Sequence, residues 1–218
     1  MNLINKEEIE IAYLDNKSIL IVSYQYNNLD EMVSKNQYEV FRKFNIILNQ
    51  FQGEIRHSEF MDNILNNYEY DYYIFFDIDC IPLKDNIVEY IINKIQKNSM
   101  IGIEQQCNCN SSINHIYAGP ACFGISKEFY NELDRPSFKE THRSDVGEEL
   151  THICEEKNKN FFLFKKTFSE NNLWKLGEND YFGHGCIYDE DLIYHQFEIF
   201  QNQNKFIKKC LEILNSNY

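Results

Sequence analysis

Apolar and polar positions fall in blocks along this chain, and the sharpest block is Tyr72-Tyr73-Ile74-Phe75-Phe76, which ends in Asp77-Ile78-Asp79. Aromatic and β-branched residues in an unbroken run predict a strand buried on both faces. A second such run, residues 18–24, stops at the polar cluster Gln25 to Asn28. From Asp30 the period changes, with Met32, Val33, Tyr38, Phe41 and Phe44 roughly on one helical face. The pattern then predicts a short strand at 46–48 and a helix over 60–65. After Pro82, Ile87, Tyr90, Ile91 and Ile95 recur at three and four residues, which predicts an amphipathic helix.

Residues 100–104 read as another strand, 105–115 as polar and irregular, and 117–125 as a turn and strand. Ser126 is placed to cap a short helix, and Asp145 to open a further one through Leu150, Ile153 and Cys154. A strand is expected at 161–164. Residues 174–188, rich in glycine and aromatics, read as a mobile binding loop. A last helix over about 190–215 carries Phe200, Ile207, Leu211 and Leu214 on one side. Strands alternating with helices predict an α/β fold: one Rossmann-like domain over 1–218, its mostly parallel sheet flanked by helices.

Charge narrows the function. With 21 basic and 34 acidic residues the net charge is −13, which disfavours a nucleic acid polymer or an anionic membrane as partner. Seven scattered cysteines give no disulfide framework and suggest a reducing compartment. Cys107-x-Cys109 has no second pair at zinc-ligand spacing. No apolar run approaches the roughly 20 residues of a membrane span, and residues 1–6 lack a signal-peptide core. These readings predict a soluble, cytoplasmic protein without a membrane span.

In a chain this acidic the D-x-D tripeptide is weak by itself, and Asp189-Glu190-Asp191 is a second copy. That copy follows glycines and opens a helical pattern, so it reads as a helix cap. The first copy ends a buried strand, where parallel sheets present their ligand sites. Two carboxylates there suit a hard divalent cation, and they leave coordination positions for phosphate oxygens and water. That incomplete shell points to a diphosphate substrate.

The order of these features resembles a GT-A-fold, family 2-like glycosyltransferase: SILIVSY with polar residues after it, hhhhDxD followed by Ile-Pro, a later Gly-Pro-Ala, an acidic helix start and a late histidine. The resemblance spans roughly residues 18–200. It implies a nucleotide-binding half over about 18–104 and an acceptor-side half over about 105–200. It also implies a nucleoside diphosphate sugar donor, a hydroxyl or glycan acceptor, and a role in surface glycan synthesis. By resemblance, Asp77 and Asp79 contact ribose and metal with Ile78 between them, and His195 is the late metal ligand. A mixed oxygen and nitrogen shell favours Mn2+ over Mg2+; packing beside Tyr194 and Phe197 is the other reading of His195.

Ser23, Tyr24 and Asn27 sit where the family's first loop holds the nucleobase, or are ordinary strand-end residues. The family's inverting members take their base from an acidic helix start, here Asp145, Glu148 and Glu149. The usual Glu-Asp is Glu148-Glu149 in this chain, so Glu149 is the first choice and Asp145 the second; dipole capping is the alternative. Tyr117, Gly119 and Pro120 are expected to shape the wall between donor and acceptor, and residues 181–185 to close over the donor. Trp174 reads as a sugar platform or as core. A haloacid-dehalogenase-type phosphatase also ends a strand in D-x-D, but its motif continues with Thr where this chain has Ile81. A non-catalytic binding module is the remaining alternative.

Overall fold

Ile19 and Ile21 face one side of a central sheet while Leu20 and Val22 face the other, and Ile74 and Phe76 are divided from Tyr73 and Phe75 in the same way. Side chains alternate along a strand, so an unbroken apolar run supplies both faces at once. The computed structural model describes residues 4–5, 9–107 and 114–216. Its elements are β1 (Ile4–Asn5), β2 (Ala12–Leu14), β3 (Lys17–Tyr26), α1 (Glu31–Lys43), β4 (Asn49–Gly53), α2 (His57–Asn67), β5 (Tyr72–Asp77), β6 (Cys80–Pro82) and α3 (Ile87–Ile95). There follow β7 (Ser99–Gln106), β8 (Ile116–Ser126), α4 (Lys127–Glu132), α5 (Glu148–Glu156), β9 (Asn160–Phe164), β10 (Lys166–Leu176), β11 (Asp180–Tyr188), β12 (Ile193–His195) and α6 (Ile199–Asn215).

The main sheet runs β1-β4-β3-β5-β8-β7-β9, with β2 added to β3. Strands β4, β3 and β5 are mutually parallel, as are β7 and β9, and β8 lies antiparallel between β5 and β7. Helices α1, α3 and α6 cover one face and α2, α4 and α5 the other. The expected α/β class with a mostly parallel, helix-flanked sheet is what forms. No described helix is long and apolar enough to cross a membrane. Asp30 caps α1 by accepting from the Met32 amide at 2.8 Å, and Ser126 caps α4 by accepting from Phe129 at 3.1 Å.

A second sheet, β10-β11-β12-β6, shares the core on the α1 side, and most corrections to the sequence reading fall here. Residues 174–188 are paired strands, not a mobile loop. Gly177 has φ +67° and turns the hairpin. At Gly183 a Cβ would lie 2.0 Å from the Asn171 carbonyl oxygen, so this glycine permits close strand approach. Asp189, Glu190 and Asp191 do not cap a helix. They form a turn with φ of +46°, +52° and +67°, and Asp189 accepts from the Tyr90 hydroxyl at 2.8 Å and the Lys165 amide at 2.7 Å. The last helix therefore starts at Ile199 rather than near 190.

Residues 46–48 are not a strand. Asn45, with φ +56°, turns the chain out of α1, and the buried Ile46 and Leu48 pack on the core as loop residues. The strand is the polar β4 that follows, and the Asn49 side chain donates to the Glu10 and Ile21 carbonyls. Cys109 lies outside the described residues, and so does most of the irregular stretch 105–115.

Candidate active site

Strand β5 ends at Asp77, and Asp79 follows in the tight turn before β6. The buried Gln37 amide of α1 pins that turn, donating to the Asp77 carbonyl at 2.7 Å and the Cys80 carbonyl at 3.0 Å. Strand β12 then pairs antiparallel with β6, which sets His195 opposite Cys80, and the Gln196 amide donates to the Asp79 carbonyl at 3.0 Å. Backbone pairing thus joins residues 116 positions apart. His195 Nε2 lies 3.2 Å from Asp79 Oδ1 and 4.0 Å from Asp77 Oδ2. One donor atom from each of Asp77, Asp79 and His195 falls within 4.8 Å of the others.

Two carboxylates and an imidazole at this spacing fit a divalent cation, and Asp79 and His195 are buried at 5% and 3% exposure. The His195 Nδ1 is buried without a hydrogen-bond partner, and its ring packs on Phe197 with centroids 3.8 Å apart. His57 approaches from α2, its Nε2 3.0 Å from Asp77 Oδ1, which leaves Oδ2 for the side of His195. Burial would raise the Asp77 carboxyl, but the charge and hydrogen bond of His57, aided by His195, hold it below the usual carboxylate range. Burial would lower His57, and Asp77 outweighs it, so His57 is raised.

These groups line a cleft of about 360 Å³ that Tyr24, Ile78, Tyr117, Pro120 and Asp145 also line. Of the expected nucleobase residues, Tyr24 is 3% exposed, stacks on Phe60 and donates to the Ile55 carbonyl at 2.9 Å. Ser23 is buried with its hydroxyl unpartnered, and Asn27 donates to Glu54 at 3.0 Å; neither lines the cleft. Gly119 leaves its Cβ position to Gln105, whose Oε1 would be 2.6 Å away, while Gln105 itself lines the cleft. Trp174 packs among Phe182, His184 and Phe197, not along the cleft.

The three acids near α5 separate. Gly147, with φ +76°, is the residue before the helix, so Asp145 stays off α5 and lines the cleft. Glu148 is fully buried: its Oε1 lies 2.6 Å from His115 Nδ1, and its Oε2 accepts the Asp145 amide at 2.7 Å. Glu149 is held by Arg143, with Nε 3.1 Å from Oε2 and the second guanidinium nitrogen on Oε1. That hydrogen bonding lowers the Glu149 carboxyl against the opposing effect of burial. Tyr117 is raised by burial first, then by the Asp145 and Glu148 charges beside it, so it stays protonated.

Sequence reasoning did not single out His57, Tyr26 or Gln105, and it placed Phe200 on the apolar side of the last helix, whereas all four line the cleft. Tyr26 lies edge-on to Tyr24 at 5.2 Å and 6.1 Å from Phe200, which is 50% exposed. Tyr26 was findable as the next residue but one after Tyr24. His57 carried no signal, because nothing in its spacing ties it to Asp77.

The sequence matches no family model and no curated protein. Among solved structures, the chain is similar to the catalytic domain of Drosophila beta1,4galactosyltransferase 7 in complex with xylobiose. The TM-score is 0.49 and the identity 9%, over 87% of this chain and 79% of that one. A mutant of that enzyme with manganese, UDP-Gal and xylobiose gives a TM-score of 0.46 at 9% identity, over 86% of this chain and 79% of that one. A glycosyltransferase involved in glycosylation of the major capsid of PBCV-1 gives 0.34 at 9% identity, over 53% and 63%. At such scores the likeness carries nothing about activity, which has to come from this chain's own residues.

Proposed function

We propose that the protein is a metal-dependent glycosyltransferase of the GT-A type, moving a sugar from a nucleoside diphosphate donor to a hydroxyl acceptor. The observation that supports this most is the convergence of Asp77, Asp79 and His195 in one cleft at the carboxyl end of β5, with Asp145 lining the same cleft. Those three side chains would hold the cation, and a mixed shell of two oxygens and one nitrogen suits manganese. A cation held there would supply Lewis-acid neutralisation of charge on the diphosphate leaving group.

The chain's own groups do the rest. His57 fixes the Asp77 carboxylate through Oδ1 and keeps it ionised. Tyr26 and Phe200 offer aromatic surfaces for a base, a role that the buried Tyr24 fills only as a floor beneath them. Asp145 accepts the proton of the acceptor hydroxyl, the role that Glu149 cannot take while Arg143 holds both its oxygens. Direct attack assisted by that single base would invert the configuration at the sugar. Glu198 also lines the cleft but is paired with His184 at 2.8 Å, so this reading takes Asp145 as the base and inversion as the outcome.

Calorimetric titration with UDP, GDP and CDP, in manganese and then in chelator, tests the donor site on wild type and Asp79→Asn. Manganese-dependent binding of one nucleotide, lost in the variant, is the expected result. A folded wild type that binds none of the three would overturn the proposal.

A further inference from the structure

A second histidine–carboxylate cluster lies on α5, next to the turn that carries Asp145 but made of residues that do not line the cleft. Glu148, His152 and Glu155 recur at four and three residues and so share one helix face, and His115 reaches them from the segment before β8. The His115 and His152 rings stack with centroids 4.2 Å apart and planes 10° off parallel. Each ring turns one nitrogen inward to the same Glu148 oxygen: His115 Nδ1 at 2.6 Å and His152 Nε2 at 3.5 Å. Each turns the other nitrogen outward to Glu155 Oε2: His115 Nε2 at 3.3 Å and His152 Nδ1 at 3.9 Å.

The inner contact decides the outer one. Glu148 is fully buried, so an imidazole at 2.6 Å serves it best by donating Nδ1–H. A neutral His115 then presents the Nε2 lone pair to a carboxylate, which repels unless a proton or a metal cation sits between them. One atom from each of His115, His152 and Glu155 lies within 4.8 Å of the others, so a cation can be shared by all three once the rings turn out of their stack to aim their in-plane lone pairs at it, with Glu148 as the carboxylate that orients His115. Ligands about 2.1 Å from a tetrahedral ion lie about 3.4 Å apart, between the two outward separations.

We propose that His115, His152 and Glu155 bind a second divalent ion of the zinc and cobalt class, independent of the cation at Asp77 and Asp79. Because Glu148 also accepts the Asp145 amide at 2.7 Å, that ion would brace the turn that carries Asp145 toward the cleft. Cobalt(II) is the probe: its visible spectrum reports nitrogen ligation, and calorimetry counts the ions bound. In Asp79→Asn the expected result is one retained equivalent with a tetrahedral spectrum. That equivalent should disappear with His152→Ala added. Glu155→Gln, at an exposed position, should weaken it by on the order of tenfold without changing the fold. Folded Asp79→Asn protein that binds no cobalt, or a spectrum unchanged by both substitutions, overturns the proposal. Nucleotide binding in manganese is read separately, so failure of the donor site leaves this result standing.

Discussion

The two histidine–carboxylate clusters are built by opposite means. At Asp77, Asp79 and His195 the carboxylate and imidazole atoms come from the ends of two sheets, and only strand pairing between β6 and β12 brings them together. At Glu148, His152 and Glu155 three of the four groups come from one helix face and need only the 3.6-residue turn. The first arrangement buries two ligands and opens on a cleft, so a substrate can complete the shell. The second buries its carboxylate inside and presents a half-exposed Glu155 outside, so an ion there braces structure and meets no substrate. On the proposed readings, the strand ends at the sheet rim would serve as the reactive site and the helix face as a strut.

Substitutions that act on one cluster and spare the other sharpen this contrast. The largest effect is expected from Asp145→Asn: sugar transfer should fall by about 10²–10⁴-fold while manganese-dependent nucleotide binding persists. Full transfer in that variant would return the base to Glu149 or Glu148. His57→Ala removes the hydrogen bond on Asp77 Oδ1 and should weaken manganese binding by about 10–100-fold, with the cobalt equivalent at α5 unaltered. An unchanged manganese affinity would mean that Asp77 orients without it.

The smallest effect is expected from Glu149→Gln, which removes a partly exposed pair with Arg143 worth about 1 kcal/mol or less. The folded Glu149 carboxyl is lowered from its ordinary 4.5, so its contribution is complete above that pH and is lost as pH falls through the folded value. Urea melts at pH 7 should show the difference between wild type and variant, and melts near pH 3 should show it shrink. A difference that grows in acid would contradict the Arg143 pairing.

What could be read along the chain and what could not divide along similar lines. The strand through Phe76 was legible because a two-sided sheet demands an unbroken apolar run, and Asp30 and Ser126 were legible as caps because capping is local. The strand β4 is hidden because the buried Asn49 and the half-buried Gln50 are held by hydrogen bonding and carry no apolar signal. In sequence the hairpin β10–β11 reads in part as a loop because Gly183 and Gly185 look like flexibility until a facing strand and the Glu170 side chain occupy the space. At the acidic helix start, composition placed three carboxylates together, but Arg143 and His115, which engage two of them, are distant from that pattern or silent within it.

By itself the sequence determined the two-faced central strands, the helices that cover them and the pair of aspartates at the rim, because period and local capping are properties of neighbouring residues. The family resemblance had already named His195 as a ligand beside those aspartates, whereas tertiary structure alone decided that His57 joins it there, that Asp145 rather than Glu149 lines the cleft, and that His115 stacks on His152. Those are encounters between segments far apart in the chain. Their partners are chosen by strand pairing and burial, which no local pattern records.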